Sequence, residues 1–485
     1  MNKDISIAII GSGFGGIGAA IKLKKAGFHN IVIYEKAGSI GGTWRDNTYP
    51  GAACDVMSHL YSFSFARNPN WSRTYSPQSE ILDYLVETAR GFKVDQYVKT
   101  NCEIDLVEFD EDTFRWQLTD TAKNKYFADV VISALGQLNK PNVPDFEGLD
   151  NFKGQWFHSA RWNHDVEIAG KTVCVIGNAA SAVQLIPKVA KVAKKLYVFQ
   201  RTPNWIVPKV DREFSSKEKW AFQHIPGWER LYRTYLYWWH EVKFGAFLNG
   251  SPLSKQAEKL ARSYLNKKVK DVKLREKLTP DYPLGCKRIL LTNDYYDTIQ
   301  KENVELVTSQ IDHIEPSGIV CKDLRKIDCD VIIFATGFKA TEFLTPMEVI
   351  GQKGLNINKV WNEGAEAYLG ITMPGFPNFF MIYGPNTNLA HNSIIFMIEC
   401  QISYIISILN RAIKLGAKAL EPKEERYQRY NERIQRLMQK TVWVAGCPSW
   451  YKNESGKVTN NWPRSTVSYF ISTHLPDWSA YQSLK

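Results

Sequence analysis

No Cys-x-x-Cys pair occurs among the eight cysteines, which are scattered along the chain. Their spacing excludes a redox dithiol motif and reads as buried free thiols in a reducing compartment rather than a disulfide framework. No stretch of about 18 consecutive apolar residues is present, so no transmembrane helix is expected. The apolar run at residues 5–10 passes straight into glycines with no small-residue cleavage site, so a secretory signal is not expected and the location reads as cytoplasmic. Zinc-finger spacing, basic heptads and an aromatic RNA-binding signature are all missing, which sets nucleic acid aside as a partner. The excess of one charge is small: 61 Lys plus Arg against 50 Asp plus Glu leave +11 over 485 residues. It suits anionic ligands such as phosphates and allows weak contact with a membrane surface. With 44% hydrophobic and 23% charged residues, the composition is that of a globular protein, not of a disordered, collagenous or coiled-coil chain. Aromatic residues are plentiful at 13%, with 15 Trp, and point to large buried pockets or interfaces.

Two segments carry dinucleotide-binding patterns. In the first, an apolar strand at 5–10 meets Gly11-x-Gly13-Phe14-x-Gly16, then a helical stretch, then the strand 31–34 ending in Glu35. Gly11 permits the tight turn, Gly13 lets the backbone approach a pyrophosphate, and Gly16 lets helix and strand pack closely. The helix N-terminus presents free N–H groups to phosphate, and Glu35 suits a ribose diol.

In the second, the strand 171–176 meets Gly177-Asn178-Ala179-x-Ser181-Ala182, and a further strand ends before Arg201 and Thr202. Gly11 to Glu35 and Gly177 to Arg201 span the same 24 positions. An arginine and a hydroxyl where the first unit has a carboxylate favour a 2′-phosphate, which a carboxylate would repel. The first unit therefore suits FAD or NAD and the second NADP. Ala179 replaces the middle glycine, and its methyl group could push a pyrophosphate outward. Two apolar strands, 130–136 and 331–337, both end in Ala-x-Gly and mark crossings between domains. The expected fold is α/β, with two Rossmann-like dinucleotide-binding domains and a helical insertion. The domains are 1–140 with 340–485, discontinuous, and 141–339, carrying the insertion at about 206–285.

Phe152-x-Gly154-x-x-x-His158-x-x-x-Trp162, placed between two such units, resembles the class B flavoprotein monooxygenases. Trp162 resembles their type I Baeyer–Villiger branch, while Asn163 stands where that branch usually has Pro or Asp. Five further segments resemble the branch in order: Gly41-Gly-Thr43-Trp44, Tyr49 to Asp55 with Tyr61 beyond it, Phe199 to Trp205, Lys287-Arg288, and Ser449-Trp450-Tyr451. The resemblance covers nearly the whole chain. It implies FAD and NADPH as cofactors, O2 and a small-molecule ketone as substrates, and oxygen insertion beside the carbonyl through a C4a-peroxyflavin.

The resemblance also implies roles. Thr43, Trp44, Asp55 and Tyr61 would join Gly11, Gly13, Phe14, Gly16 and Glu35 around FAD. Lys287 and Arg288 would join Gly177, Asn178, Ala179, Ser181, Ala182, Arg201 and Thr202 around NADP. Arg288 would be the catalytic cation, oriented by Asp55, and Trp450 would lie on a loop over the substrate. His158 reads as a hinge residue between domains. The N–H of Ile394, at the start of an apolar helix behind Ser393, could face the flavin's N1–O2 edge, although Ser393 could equally be an ordinary cap. N- or S-oxygenation, and an NADPH oxidase or cofactor-binding protein without oxygen transfer, stay open as alternatives. The aromatic stripe at 228–242 reads first as core packing, and otherwise as a pocket wall or a membrane-facing patch. The charged runs at 255–277 and 423–440 read as solvated helix faces.

Overall fold

The computed structural model describes residues 2–447 and 449–485. Two parallel five-stranded sheets are built from β1 (Ile7–Ile10), β2 (Ile31–Tyr34), β3 (Val98–Lys99), β4 (Val130–Ser133), β5 (Gln155–His158), β6 (Thr172–Ile176), β7 (Lys195–Phe199), β8 (Val304–Val307), β9 (Val331–Phe334) and β10 (Phe379–Met381). The first sheet has the order β10-β4-β1-β2-β3, the second β8-β7-β6-β9-β5. β1, β4 and β9 are buried at every position. That explains their unbroken apolar sequences, since a parallel sheet is covered on both faces.

Each sheet holds one βαβ unit, with α1 (Phe14–Lys25) after β1 and α2 (Ala180–Val189) after β6. The turns match closely. Gly11 has φ +104° and donates its N–H to the Tyr34 carbonyl at 2.8 Å; Gly177 has φ +112° and donates to Phe199 at 3.0 Å. A Cβ on Gly11 would lie 2.7 Å from the Ala134 carbonyl oxygen, and one on Gly177 2.4 Å from that of Ala335. The two Ala-x-Gly strand ends are therefore the walls against which the two turns close. β10 pairs with β4, so the chain leaves the first sheet, builds the second and returns.

Between β7 and β8 lie α3 (Ser216–His224), α4 (Trp228–Glu241) and α5 (Pro252–Lys268). Ser215 and Glu218 form a reciprocal capping box that starts α3. The aromatic stripe at 228–242 packs on the core only at Tyr232, against His59 and Phe222, and otherwise departs from the core-packing expectation: Trp228, Leu231, Tyr235, Trp238 and Val242 face solvent. The inner face of α4 carries Glu229, Arg233, His240 and Glu241, all with polar partners, beside Tyr232 and the buried Leu236, so most of the aromatic stripe is left outside.

Later in the chain come α6 (Ile394–Leu415), α7 (Glu424–Met438) and α8 (Thr466–His474). By length and composition α6 could cross a membrane, which the search for unbroken apolar runs does not reveal. It packs on α1, and Ile395, Ile402, Ile405 and Ile408 are buried in the first sheet's core. α7 buries Tyr427, Ile434 and Met438 and leaves most of its charged residues exposed.

The cysteine expectation fails at one pair. Cys286 and Cys447 form a disulfide across a sequence separation of 161, with Cα atoms 6.4 Å apart, while the other six are free and buried. The bond ties the segment before Lys287-Arg288 to the loop before Trp450. Local spacing does not show a contact made only by the folded chain.

Candidate active site between the two nucleotide-binding units

A cavity of about 1260 Å³ lies between the two units and is lined from both. From the first come Gly11, Gly13, Phe14, Glu35, Thr43, Trp44, Asp55 and Tyr61, joined by Ile394. From the second side come Gly177, Asn178, Ala179, Ser181, Arg201, Thr202, Lys287 and Arg288, and Trp450 closes one wall. Three expected residues stand off the lining. Gly16 packs helix on strand: a Cβ there would lie 1.9 Å from the Gly11 carbonyl oxygen. Ala182 is fully buried in the second core. His158 is buried at the end of β5, with Nδ1 accepting the Ala160 N–H at 3.1 Å and its ring edge-on to Phe338. Burial pushes its pKa down to about 4, so the imidazole is neutral.

The first cradle fits a dinucleotide. At Gly13 the backbone has φ −77°, open to any residue, and an added Cβ would touch the protein only at 3.7 Å from Gly42 Cα. Neither backbone nor packing requires glycine there, and the space is left to the cavity. Burial would raise the pKa of Glu35, but its partners hold it below the ordinary value. Oε2 accepts from the Ser12 hydroxyl at 2.6 Å and N–H at 3.0 Å; Oε1 accepts from the Ala37 N–H and meets Arg45, both at 2.9 Å. Trp44 donates its indole N–H to the Tyr61 hydroxyl at 3.1 Å, and Phe14 packs edge-on to Tyr61. Ser393 does not cap α6. Its hydroxyl is buried without a partner, so the helix reaches the cavity with an unfilled N-terminus.

The second cradle gathers positive charge. Lys287 Nζ donates to the Thr202 hydroxyl at 2.6 Å and lies over the Tyr282 ring. Burial, and then Arg201, lower its pKa, so two cations converge on one part of the cavity. Such convergence fits an anion between them. Asn178 donates to Gln200 and to the Thr202 carbonyl, both at 2.9 Å, and fixes this corner. Ala179 has φ −86° and ψ −157°, almost the geometry of Gly13, so alanine costs no backbone strain.

The units meet at Asp55 and Arg288. Arg288 donates to Asp55 Oδ2 through Nε at 2.9 Å and Nη2 at 2.5 Å. Both side chains line the cavity, about a third of each being open. Burial would raise the Asp55 pKa, yet Arg288 brings it below the usual carboxylate range; Asp55 in turn raises that of Arg288. Both members stay charged. A second link crosses at Gln184 of α2, which accepts from the Tyr49 hydroxyl at 2.8 Å and donates to the Ala53 carbonyl at 3.0 Å. Gln184 and Arg45 escape sequence reading, because a polar residue on a helix and an arginine after Trp44 carry no spacing signal. Asn163 makes a local turn, accepting the Asp165 N–H at 3.0 Å.

Comparison with known proteins agrees with this geometry. A family model for pyridine nucleotide-disulphide oxidoreductases matches residues 8–219. A Baeyer-Villiger monooxygenase of Streptomyces coelicolor is 42% identical over 100% of this chain and 94% of its own. One from Pseudomonas aeruginosa is 41% identical, over 99% and 91% respectively. Among solved structures, OTEMO in complex with FAD and NADP has a TM-score of 0.88 at 27% identity, with 99% of each chain covered. Cyclohexanone monooxygenase from Rhodococcus sp. Phi1 bound to NADP+ gives the same values. With length, fold and paired cradles held in common, this chain belongs to the Baeyer–Villiger monooxygenase family.

Proposed function

We propose that the protein is an FAD-containing, NADPH-dependent monooxygenase that inserts one atom of O2 beside a ketone carbonyl, forming an ester or lactone. The observation that carries this reading is the Arg288–Asp55 ion pair, contributed from opposite sides of one cavity where both nucleotide cradles open. Residues 1–140 with 340–485 would hold FAD and 141–339 NADP, a division supported by the return of β10 to the first sheet. A cytoplasmic location is part of this reading; the six free buried cysteines support it and the Cys286–Cys447 bond does not.

When bound, the two nucleotides supply hydride transfer and oxygen activation; the chain supplies position and charge. Gly13 leaves room for a pyrophosphate at the N-terminus of α1, and Gly11 makes the turn that sets that N-terminus in place. Glu35, fixed by Ser12, Ala37 and Arg45, would accept from a ribose hydroxyl. The uncapped start of α6 at Ile394 offers N–H groups to a negatively charged ring edge. Arg201, Thr202 and Lys287 would hold the 2′-phosphate. Phe14, Trp44 and Tyr61 exclude water from the flavin side, and Trp450 closes the substrate side.

Arg288 carries a guanidinium that keeps its charge when desolvated, and it faces negative charge developing on the substrate carbonyl oxygen. Asp55 accepts two of its N–H groups and so fixes which donors remain free. His158 stays outside this chemistry as a neutral structural residue beside the crossing segment. The test is NADPH consumption across linear, cyclic and aryl ketones, with product mass. Ester or lactone with one added oxygen supports the reading; NADPH use without any oxygenated product refutes it.

A further inference from the structure

α4 is turned inside out. Its inner side sets charged residues with polar partners around the buried Leu236. Arg233 donates to the Ser62 hydroxyl at 3.0 Å and to the Ser62 carbonyl at 2.9 Å. Glu241 accepts from Asn392 at 2.8 Å and from Thr466, and Glu229 lies 3.5 Å from His59. The outer side is an apolar stripe. Trp228, Leu231, Tyr235, Trp238 and Val242 recur at spacings of three and four, and Leu231, Tyr235, Trp238 and Val242 are 60%, 59%, 54% and 67% exposed. An amphipathic helix of a globular protein buries the side that α4 leaves open. The fourteen-residue helix is about 21 Å long at 1.5 Å per residue. The surface continues sideways: Tyr237 packs on Phe396, which stacks on Phe470 of α8, and Phe470 and Ile471 are exposed as well.

Charge narrows the partner. Both carboxylates of α4, Glu229 and Glu241, point inward. Arg230 is exposed on α4, and Lys243 just beyond it places its ammonium 3.0 Å from the Trp239 ring centre. The chain carries +11 overall. Indole and phenol rings with cations and no outward acid are the composition of a helix lying in a lipid headgroup layer.

We propose that α4, with the adjoining edge of α8, rests on an anionic lipid bilayer, its stripe parallel to the surface and sunk into the headgroup boundary. The anchor reaches the active site through Leu236, which is buried with Tyr75 and with Met57 and Leu60, the latter two and five residues after Asp55. Arg233 binds the carbonyl of Leu60 as well. The proposal does not depend on the reaction assigned above, because it rests on the outer face alone.

The test is co-sedimentation of the flavin-loaded full-length protein with vesicles of phosphatidylcholine alone or mixed in equal parts with phosphatidylglycerol. Binding is expected on the anionic vesicles, with the apparent affinity falling roughly tenfold or more in Leu231→Glu/Trp238→Glu, because a surface contact is lost and two acids oppose the lipid charge. Arg230→Gln is expected to weaken anionic binding a few-fold. Flavin content and NADPH oxidation with a short water-soluble ketone are expected to stay at wild-type values in both variants, since neither touches the cavity. Failure of the wild type to sediment with anionic vesicles, or equal binding by the double variant, would overturn the proposal. So would a wild-type dimer in sedimentation velocity that the double variant dissolves without any vesicle binding, since a second copy would then be the occupant.

Discussion

The two βαβ units share one turn geometry, and three of the positions at which their side chains differ are instructive. Gly11 and Gly177 close on the carbonyls of Ala134 and Ala335 in the same way. In the shared register Gly13 corresponds to Ala179, Gly16 to Ala182, and Glu35 to Arg201. The differences grade from structural to chemical. At the middle position the backbone angles nearly coincide, so alanine is tolerated. At the third, the first unit has no room for a methyl group, while Ala182 is accommodated in a fully buried site. At the last, the charge reverses, and on the function proposed above this reversal would exchange a ribose diol for a phosphate. One fold would then serve two ligands through the residue after the second strand.

The largest break in the comparison comes where the units converge. Arg288→Ala is expected to lower the rate of ester formation by about 10²–10³ or more while NADPH still reduces the flavin, because the charge it supplies acts on the oxygenated substrate. Stopped-flow flavin bleaching and product chromatography separate the two steps. Next is Gly16→Ala, which would place a methyl group on the Gly11 oxygen and is expected to cost roughly 3 kcal/mol. Its mirror, Ala182→Gly, is expected to cost about 1 kcal/mol. Thermal unfolding with flavin release as the signal reads both, and equal costs would contradict the difference in helix approach.

Arg201→Ala removes a charged hydrogen bond of about 1.5–3 kcal/mol, so the preference for NADPH over NADH is expected to fall about 10- to 100-fold in kcat/KM. An unchanged preference would detach the phosphate from this corner. Ala179→Gly is expected to change the NADPH KM less than about threefold, given the backbone match to Gly13. The smallest expected effect is with pH. Asp55 is held below its ordinary value and Arg288 above its own, so the pair contributes no inflection to kcat between about pH 5 and 9. An inflection that vanished in Asp55→Asn would show that the pair does titrate.

Much of the first cradle is legible in the sequence because a βαβ unit is local: strand, glycines, helix and acid lie within 24 positions of Gly11. The same register exposes Arg201. The Arg288–Asp55 pair is not local, and only resemblance joins residues 233 positions apart. Gln184, Arg45 and the Cys286–Cys447 bond are silent for the same reason. α4 shows a different limit. Periodicity reveals a stripe but not which side is inward, and the answer turned on Arg233, Glu229 and Glu241 finding buried partners. Ser393 was ambiguous as a cap until its hydroxyl proved to have no partner.

On the function proposed above, the paired cradles meet at Arg288 to pass one oxygen atom from O2 to a ketone. The most direct test of that transfer supplies isotopically heavy O2, NADPH and a cyclic ketone to the flavin-loaded protein and reads the lactone by mass. The account predicts one heavy oxygen in each lactone, with as many NADPH consumed as lactones formed, and almost no labelled lactone from Arg288→Ala. Lactone carrying only light oxygen, or an equal labelled yield from that variant, would contradict it.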